Sequence, residues 1–297
     1  MNVEKKPIIF FGTEDFSATA LEKLIKDGFN IVGIVTKPDS KKGRGQKISM
    51  PKVKEIALKY QTPVLQPQKM SEIIEFVQQF DRPAGVLVSF GRIIPQNIID
   101  LFTPGIINLH PSLLPKYRGP SPIEAAILNG DQETGISIMQ LSAKMDAGPV
   151  YYQETIPLSG NEKSSALYET TAKIGSEALS NALPAILNGK MSANPQNEPK
   201  ATYCKLLSKN DSLLNPQVMT ANEAERHIRA YEIFPKTKVK IDDFLCIITE
   251  ANIISEPVRL TPLDIKFKDD QYLSIKRLIT PNGKQTDAQS FINGYLK

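Results

Sequence analysis

The first half of the chain alternates short apolar runs with stretches of helical periodicity. Helices are predicted from about residues 16, 51 and 73, and strands are predicted at 8–11, 31–35, 64–65, 85–90 and 106–110. Uninterrupted apolar strands that alternate with helices are typical of a parallel sheet covered on both faces. The pattern therefore predicts an α/β domain with a parallel-dominated sheet.

The second half begins with a long predicted helix at 163–188. The stretch that follows, 189–199, is polar and contains two prolines, which is typical of a linker. Short alternating runs then predict four strands, at 237–241, 245–254, 258–267 and 272–279, a spacing that suits a small β-barrel. We expect a catalytic domain, a linker and a second domain, at 1–189, 190–203 and 204–297.

Size and composition are those of a globular protein with two domains. The 297 residues exceed one ordinary domain, and the net charge of +4 is weak evidence for a polyanionic partner. Cys204 and Cys246 are too few to staple a secreted fold and have no metal-binding spacing. The first apolar run, 7–12, is too short for a signal peptide, and no run is long enough to cross a membrane. We expect a cytoplasmic protein with no membrane association.

The candidate chemistry lies in the run Asn108-Leu109-His110-Pro111 and in the carboxylate of Asp146. Residues two apart on a strand point to the same side, so Asn108 and His110 can face one ligand where the strand ends. An amide polarises a carbonyl, an imidazole accepts a proton, and a carboxylate holds the ring, which indicates acyl transfer without a covalent intermediate. The alternatives are that Asn108 caps a turn, that His110 is a core residue and that Asp146 is solvated.

Other classes of chemistry lack their motifs. Gly12 stands alone where a dinucleotide fingerprint would need two or three glycines, and no Walker-type Gly-Lys-Ser/Thr is present. His110 has no neighbouring His, Cys or paired carboxylate in metal-ligand spacing. Nicotinamide chemistry, nucleotide hydrolysis and metal catalysis are therefore disfavoured.

A basic loop occupies residues 37–47, between a predicted strand and a helix. It holds five cations and one acid, and glycines stand on both sides of Arg44. A glycine-flanked arginine can extend from the loop to a phosphate, and the loop lies on the same edge of the sheet as His110. The alternative is a solvated loop without a partner.

Several motifs together resemble the formyl-tetrahydrofolate-dependent formyltransferase family. They are Phe-Gly-Thr at 11–13, Ser-Phe-Gly-Arg-Ile-Ile-Pro at 89–95, Asn-Leu-His-Pro-Ser-Leu-Leu-Pro at 108–115, the runs 130–140 and 145–149, and the closing segment 287–294. The resemblance covers nearly the whole chain. It implies a Rossmann-like formyltransferase domain followed by an OB-like β-barrel. The Lys-Gly-Arg-Gly loop at 42–45 most resembles the branch of the family that acts on methionyl-tRNA.

The resemblance also implies roles for individual residues. Asn108, His110 and Asp146 would be catalytic. The folate would contact Phe90, Gly91, Ser112, Leu113, Leu114 and Pro115, and nucleic acid would contact Lys41, Lys42, Arg44 and Lys47. Lys116 and Arg118 would either meet tRNA phosphate or face water. The implied donor is 10-formyltetrahydrofolate, without metal or nicotinamide, the implied partner is the initiator methionyl-tRNA, and we expect a monomer.

Two alternatives to this function remain open. The same three residues serve formyl transfer to an amino sugar nucleotide or hydrolysis of the formyl-folate, against which the basic loop counts. A non-catalytic RNA- or folate-binding module is the other alternative, and the intact catalytic set counts against it. The chain also lacks tryptophan, so the family's Pro-Trp-Pro-type segment is replaced at 229–235.

Overall fold

The structure, a computed structural model, describes residues 6–42 and 47–296. The chain divides into two compact units. The first comprises the residues up to 122 together with 133–157 and 168–204, and the second comprises 123–132, 158–167 and the residues from 205 onward. The domain boundaries expected at 189 and 204 stay a prediction, because compactness alone does not define an evolutionary domain.

The first unit is built around a seven-stranded sheet. Within its described residues, this unit contains nine strands, of which seven form the sheet and two, β3 and β4, form a separate hairpin. The strands are β1 (Ile8–Gly12), β2 (Ile31–Val35), β3 (Ser40–Lys42), β4 (Lys47–Ser49), β5 (Val64–Leu65), β6 (Ala84–Val88), β7 (Ile106–His110), β8 (Glu133–Gln140) and β9 (Val150–Pro157). The sheet order is β5-β2-β1-β6-β7-β8-β9. The first five strands in this order are parallel, and β8 and β9 are antiparallel to their neighbours. The predicted α/β fold with a parallel-dominated sheet is confirmed.

The chain forms eight α-helices within the described residues. These are α1 (Asp15–Lys26), α2 (Lys52–Lys59), α3 (Ile74–Val77), α4 (Gln96–Ile99), α5 (Pro122–Asn129), α6 (Ser164–Leu187), α7 (Ala221–Ala230) and α8 (Ala288–Tyr295). None of them is long and apolar enough to cross a membrane.

The two faces of the first sheet are packed against different helices, and this decides where the polar residues of β7 lie. Ile107 and Leu109 belong to the core that contains residues of α1, α2 and α6. Ile106 belongs to the opposite core, with residues of α3 and α4. Because side chains alternate along a strand, Asn108 and His110 lie on the same face as Ile106, near the carboxyl end of the strand.

Two predicted elements of the first unit end earlier than expected. The strand predicted at 85–90 ends at Val88, because Ser89 and Gly91 have left-handed backbone angles, with φ of 43° and 67°, which extended structure cannot contain. In place of the helix predicted at 73–80, a short 3₁₀ turn, Met70–Ile73, continues into α3, which ends at Val77. Both differences leave β6 and β7 paired in parallel, with Val88 opposite Leu109.

The strands β3 and β4, at the two ends of the basic loop, pair as a short antiparallel hairpin, which we call the basic hairpin. Ser40 pairs with Ser49, and Lys41 pairs with Ile48. The base of the hairpin is fixed by the Lys54 ammonium, which donates to both carboxylate oxygens of Asp39 at 2.9 and 2.8 Å. Gln66 joins this network by donating to Asp39 and to the carbonyl of Lys37, both at 2.8 Å. The hydrogen bond from Lys54 lowers the pKa of the Asp39 carboxyl.

The second unit contains an antiparallel sheet. Its strands are β10 (Lys238–Ile241), β11 (Phe244–Ile254), β12 (Asp264–Lys266), β13 (Tyr272–Ile279) and β14 (Gln285–Asp287). They follow the order β10-β11-β13-β12, and β14 also pairs with β13. Register shifts next to Glu250 increase the local twist of β11, which lets a long strand curl around its core. The OB-like character expected of this part is consistent with the curled sheet.

The strand predicted at 258–267 is largely wrong. Only Asp264–Lys266 is a strand, and the preceding residues form turns. Pro257 and Pro262 lack the backbone N–H that a sheet ladder needs. Asp264 instead accepts hydrogen bonds from the backbone N–H and the hydroxyl of Thr261, at 2.9 and 2.7 Å, which closes a turn immediately before the short strand.

Candidate active site

The end of β7 carries Asn108 and His110, which are two residues apart and therefore lie on the same face of the sheet. Both are buried, with exposed fractions of 4% and 5%. Within residues 6–42 and 47–296, no hydrogen-bond partner is found for the side-chain amide of Asn108. The absence of a hydrogen bond to a nearby backbone group among these residues counts against the alternative of a turn cap and leaves the amide available to a ligand.

The ring of His110 is oriented by the backbone of Tyr117. The His110 Nε2 atom lies 3.0 Å from the Tyr117 carbonyl oxygen. A carbonyl oxygen only accepts, so the contact assigns the proton to Nε2. In the neutral ring, Nδ1 therefore carries the free lone pair. Tyr117 reaches this position with a left-handed φ of 57°, which turns the chain back toward β7.

Asp146 lies near the Nδ1 side of the same ring. Its Oδ2 atom is 3.8 Å from His110 Nδ1, which is longer than a direct hydrogen bond. The same oxygen accepts a hydrogen bond of 2.8 Å from the backbone N–H of Gly119. The carboxylate is therefore held by the backbone on the Nδ1 side of the His110 ring. This placement counts against the alternative of a solvated turn residue.

The segment 112–115 is a rigid wall beside this cluster. The Ser137 hydroxyl donates to the carbonyl of Ser112 at 2.6 Å and accepts from the N–H of Leu114 at 3.0 Å. Gln153 donates to the carbonyl of Leu114 at 2.9 Å, and the carbonyl of Leu113 accepts from the N–H of Lys116 at 3.0 Å. Each of these carbonyl oxygens already accepts one hydrogen bond, so it could accept another from a pterin only through its second lone pair. The half-buried Leu113 and Pro115 give this segment a surface against which a pterin ring could pack.

Phe90 and Gly91 follow the end of β6, the strand next to β7. The ring of Phe90 is buried and packs edge-on against Phe11, with ring centroids 5.6 Å apart. Thr13 donates from its hydroxyl to the carbonyl of Phe90 at 3.1 Å. The ring of Phe90 is thus part of the core, and the left-handed turn at Gly91 is what carries the chain away from β7.

The predicted nucleic-acid contacts fall on the basic hairpin. Lys41 is exposed on β3, and Ile48, opposite it on β4, is also exposed. The backbones of Lys42 and Lys47 form the last described pair of the hairpin. Arg44 lies outside the described residues.

Arg118 neither faces water nor is free to meet tRNA phosphate, which corrects the sequence-based expectation. Its side chain is 1% exposed and donates to Gln196, Glu198 and Tyr203. The Glu198 carboxylate raises the pKa of the guanidinium, so it remains charged. Lys116, by contrast, is exposed, with its ammonium 5.0 Å from the centroid of the Tyr117 ring.

Three contributions to the site were missed by sequence reasoning. They are the orienting carbonyl of Tyr117, the N–H of Gly119 and the side chain of Gln196, which donates to the carbonyls of Asp146 and Gly148. The first two are backbone groups, which no residue type reveals. Gln196 falls in the predicted linker, where a polar residue carries no signal of its own.

The second unit contains a cavity of about 640 Å³ that none of the predicted site residues lines. Its charged residues are of both signs. Arg229 donates to both carboxylate oxygens of Glu225, at 2.7 and 2.9 Å, and to the carbonyl of Glu162 at 2.9 Å. This balanced charge does not select a ligand.

Comparisons with known proteins identify the family of the chain. Residues 5–183 match the family described as formyl transferase, and the chain belongs to this family. It is similar to the methionyl-tRNA formyltransferase of Sulfurihydrogenibium sp., with 35% identity over 301 residues that cover 97% of this chain and 96% of the relative. The methionyl-tRNA formyltransferase of Lactobacillus acidophilus is 34% identical over 298 residues, with coverages of 97% and 95%. The family and enzyme class expected from the sequence are confirmed.

A solved structure of similar fold is the N-formyltransferase from Helicobacter canadensis, in complex with folinic acid and dTDP-3-aminofucose. It superimposes with a TM-score of 0.66 at 19% identity and covers 93% of this chain and 94% of its own. At this level of identity the likeness concerns the fold alone.

Proposed function

We propose that the protein transfers the formyl group of 10-formyltetrahydrofolate to the amino group of methionyl-tRNA, the initiator tRNA being the acceptor. The observation that carries the proposal is the placement of Asn108 on the same face of β7 as His110, whose Nε2 contacts the Tyr117 carbonyl while the Asp146 carboxylate lies near its Nδ1. Similarity to methionyl-tRNA formyltransferases over almost the full length supports this acceptor.

The reaction begins when the neutral amine of the methionyl group attacks the formyl carbon of the folate. The new C–N bond places negative charge on the formyl oxygen, and the Asn108 amide donates a hydrogen bond to that oxygen. Because Nε2 of His110 already carries a proton, Nδ1 is the atom that accepts the proton from the attacking amine.

Collapse of the tetrahedral intermediate completes the transfer. The bond between the formyl carbon and N10 of the folate breaks, and the proton on His110 Nδ1 passes to N10. The products are formylmethionyl-tRNA and tetrahydrofolate, and the ring returns to its starting tautomer. Asp146, 3.8 Å from Nδ1, stabilises the imidazolium while it exists.

The folate and the acceptor have separate supports. We place the pterin ring at the wall of residues 112–115, while Phe90 and Gly91, which follow the neighbouring strand β6, stay predicted folate contacts. The basic hairpin supplies cations for phosphates through Lys41, Lys42, Arg44 and Lys47, which stay predicted contacts. The monomeric state and the cytoplasmic location expected from the sequence also stay predictions.

One assay tests the proposal against its alternatives. The protein is incubated with 10-formyltetrahydrofolate and either charged initiator tRNA, an amino sugar nucleotide or no acceptor. Formylmethionine that appears only with tRNA is the expected result. A formylated sugar, or free formate released without an acceptor, would overturn the assignment of the acceptor, and no product in any arm would overturn catalysis itself.

A further inference from the structure

The side-chain amide of Gln196 is a bridge between two parts of the first unit. Its Nε2 donates to the carbonyls of Asp146 and Gly148, at 2.8 and 2.7 Å. Its Oε1 accepts from Nε and Nη2 of Arg118, at 3.1 and 2.8 Å. Both amide hydrogens and the amide oxygen are therefore used, and the direction of the amide is fixed by its partners.

The turn that Gln196 holds is the one that presents the Asp146 carboxylate. Asp146 has a left-handed φ of 45°, which is unfavourable for a residue with a side chain unless its surroundings impose it. The two hydrogen bonds from Gln196 fix the backbone on both sides of Ala147. The hydrogen bond from the Gly119 N–H to Asp146 Oδ2 then sets the carboxylate itself.

Arg118 keeps Gln196 in place and belongs to the chain segment that also orients His110. Its guanidinium is buried and is held in turn by Glu198 and by the hydroxyl of Tyr203. Tyr117, the preceding residue, contributes the carbonyl that contacts His110. Gly119, the following residue, contributes the N–H that contacts Asp146. The buried Arg118 side chain thus connects the segment that contacts His110 with the residue that holds the turn at Asp146.

We infer that Gln196 is a positioning residue for the transfer reaction, which holds the Asp146 carboxylate at the distance from His110 that supports proton acceptance. The inference rests on the proposed function and adds to it a residue outside the predicted catalytic domain. Gln196 touches neither the reacting atoms nor His110 and acts only through the turn at Asp146.

The replacement Gln196→Glu separates this role from packing. Glutamate has the same size and still accepts from Arg118, but it cannot donate to the two carbonyls, so the turn loses both hydrogen bonds. We expect kcat to fall about 10- to 100-fold, because small displacements of catalytic groups cost rate on this scale. The KM values for both substrates should not change. Gln196→Met, which also removes both donors but adds no charge, should show the same pattern if the glutamate variant fails to fold.

Exposed Gln79 provides a matched control, since Gln79→Glu makes the same chemical change away from the turn. It should retain the kcat of the unchanged protein. A double-variant cycle adds the second control: in an Asp146→Asn background, Gln196→Glu should cause little further loss. Equal loss with and without the Asp146 carboxylate would show a general structural role and overturn the inference.

A spectroscopic measurement keeps the inference testable even if no formyl transfer is found. The chain contains two histidines, so the ring nitrogen signals of His110 can be assigned by comparison with a His227→Gln variant. We expect the His110 signals of Gln196→Glu to match those of Asp146→Asn and to differ from those of Gln79→Glu. His110 signals that do not respond to Gln196→Glu would overturn the positioning role, whereas an inactive unchanged protein would overturn the proposed function alone.

Discussion

Asn108 presents its side-chain amide on the face of β7 that also carries His110. Its main chain pairs with both neighbouring strands, and its side chain is buried without an internal hydrogen bond in the described part of the chain. The amide therefore contributes no internal hydrogen bond to stability in the described part of the chain, and the hydrogen bond that it can donate is available to a substrate oxygen.

Replacement of Asn108 by alanine tests this interpretation. We expect the single-turnover rate of formyl transfer to fall about 10²- to 10³-fold, since one donor to a developing oxyanion is worth this much. The melting temperature should stay within a few degrees, because no internal hydrogen bond is lost. Exposed Asn97, replaced by alanine, serves as the control. A stable variant with a normal rate would remove Asn108 from the mechanism.

The side chains that lie together at the candidate site were predictable from sequence, and the backbone groups that contact them were not. Asn108, His110 and Asp146 carry chemistry in their side chains, and their motif spacing indicates a common site. Tyr117 acts through its carbonyl and Gly119 through its N–H, which every residue possesses. Their roles depend on where the chain turns back after β7, and this is decided by left-handed angles that sequence patterns do not show at a tyrosine.

At the scale of elements, the basic hairpin is the predicted contact for a polyanion. Its base is fixed by the network of Lys54, Asp39 and Gln66, so that its direction is set by α2 and the end of β5. Lys54, whose side chain is 20% exposed, pairs with Asp39, the acid at the base of the hairpin. The hairpin thus has a rigid attachment beneath a strongly basic sequence.

Arg44→Ala should weaken the use of tRNA far more than the use of folate. We expect a higher KM for methionyl-tRNA, an unchanged KM for formyl-folate, and a plot of log(kcat/KM) against log salt whose slope is shallower by up to about one. Exposed Lys190, replaced by alanine, removes the same charge elsewhere. Equal weakening by both replacements, or an equal effect on both substrates, would contradict a specific role for the loop.

The elements of the first unit were easier to predict than those of the second. The strands 31–35, 64–65 and 106–110 have the bounds expected from their apolar runs. In the second unit, a run of alternating residues at 258–267 looked like a strand, but two prolines and a hydrogen-bonded turn at Thr261 prevent it. Alternation indicates a strand only where the backbone can also pair.

At the scale of the whole molecule, His227 in the second unit is one group that makes the folded protein sensitive to acid. Burial lowers the pKa of its imidazole, and Nδ1 has no partner among the described residues. Glu223 and Asp211 act to raise this pKa, whereas Arg226 and Lys205 act to lower it. The direction is therefore set by burial, and the folded protein resists protonation of this ring.

This sign predicts a loss of stability on mild acidification. Above a pH of about 6.5 the ring is neutral in both states, so the protein has its full free energy of unfolding. Below that pH the unfolded chain binds a proton that the folded chain refuses, and stability falls by up to about 1.4 kcal/mol per pH unit until the lowered folded pKa is reached. Calorimetry at pH 7.5 and 5.5 should show a smaller decrease for His227→Gln than for the unchanged protein. Parallel decreases would contradict the prediction.

The bridge formed by Gln196 has a consequence for shortening the chain. A fragment that stops at residue 189 would keep Asn108, His110 and Asp146, and would include the whole region matched by the family. It would still lack the amide that fastens the turn at Asp146 and the Thr202 hydroxyl that accepts from the N–H of Tyr117 at 2.9 Å. A minimal catalyst cut from this protein must therefore extend to about residue 204, even though its chemistry is complete some sixty residues earlier.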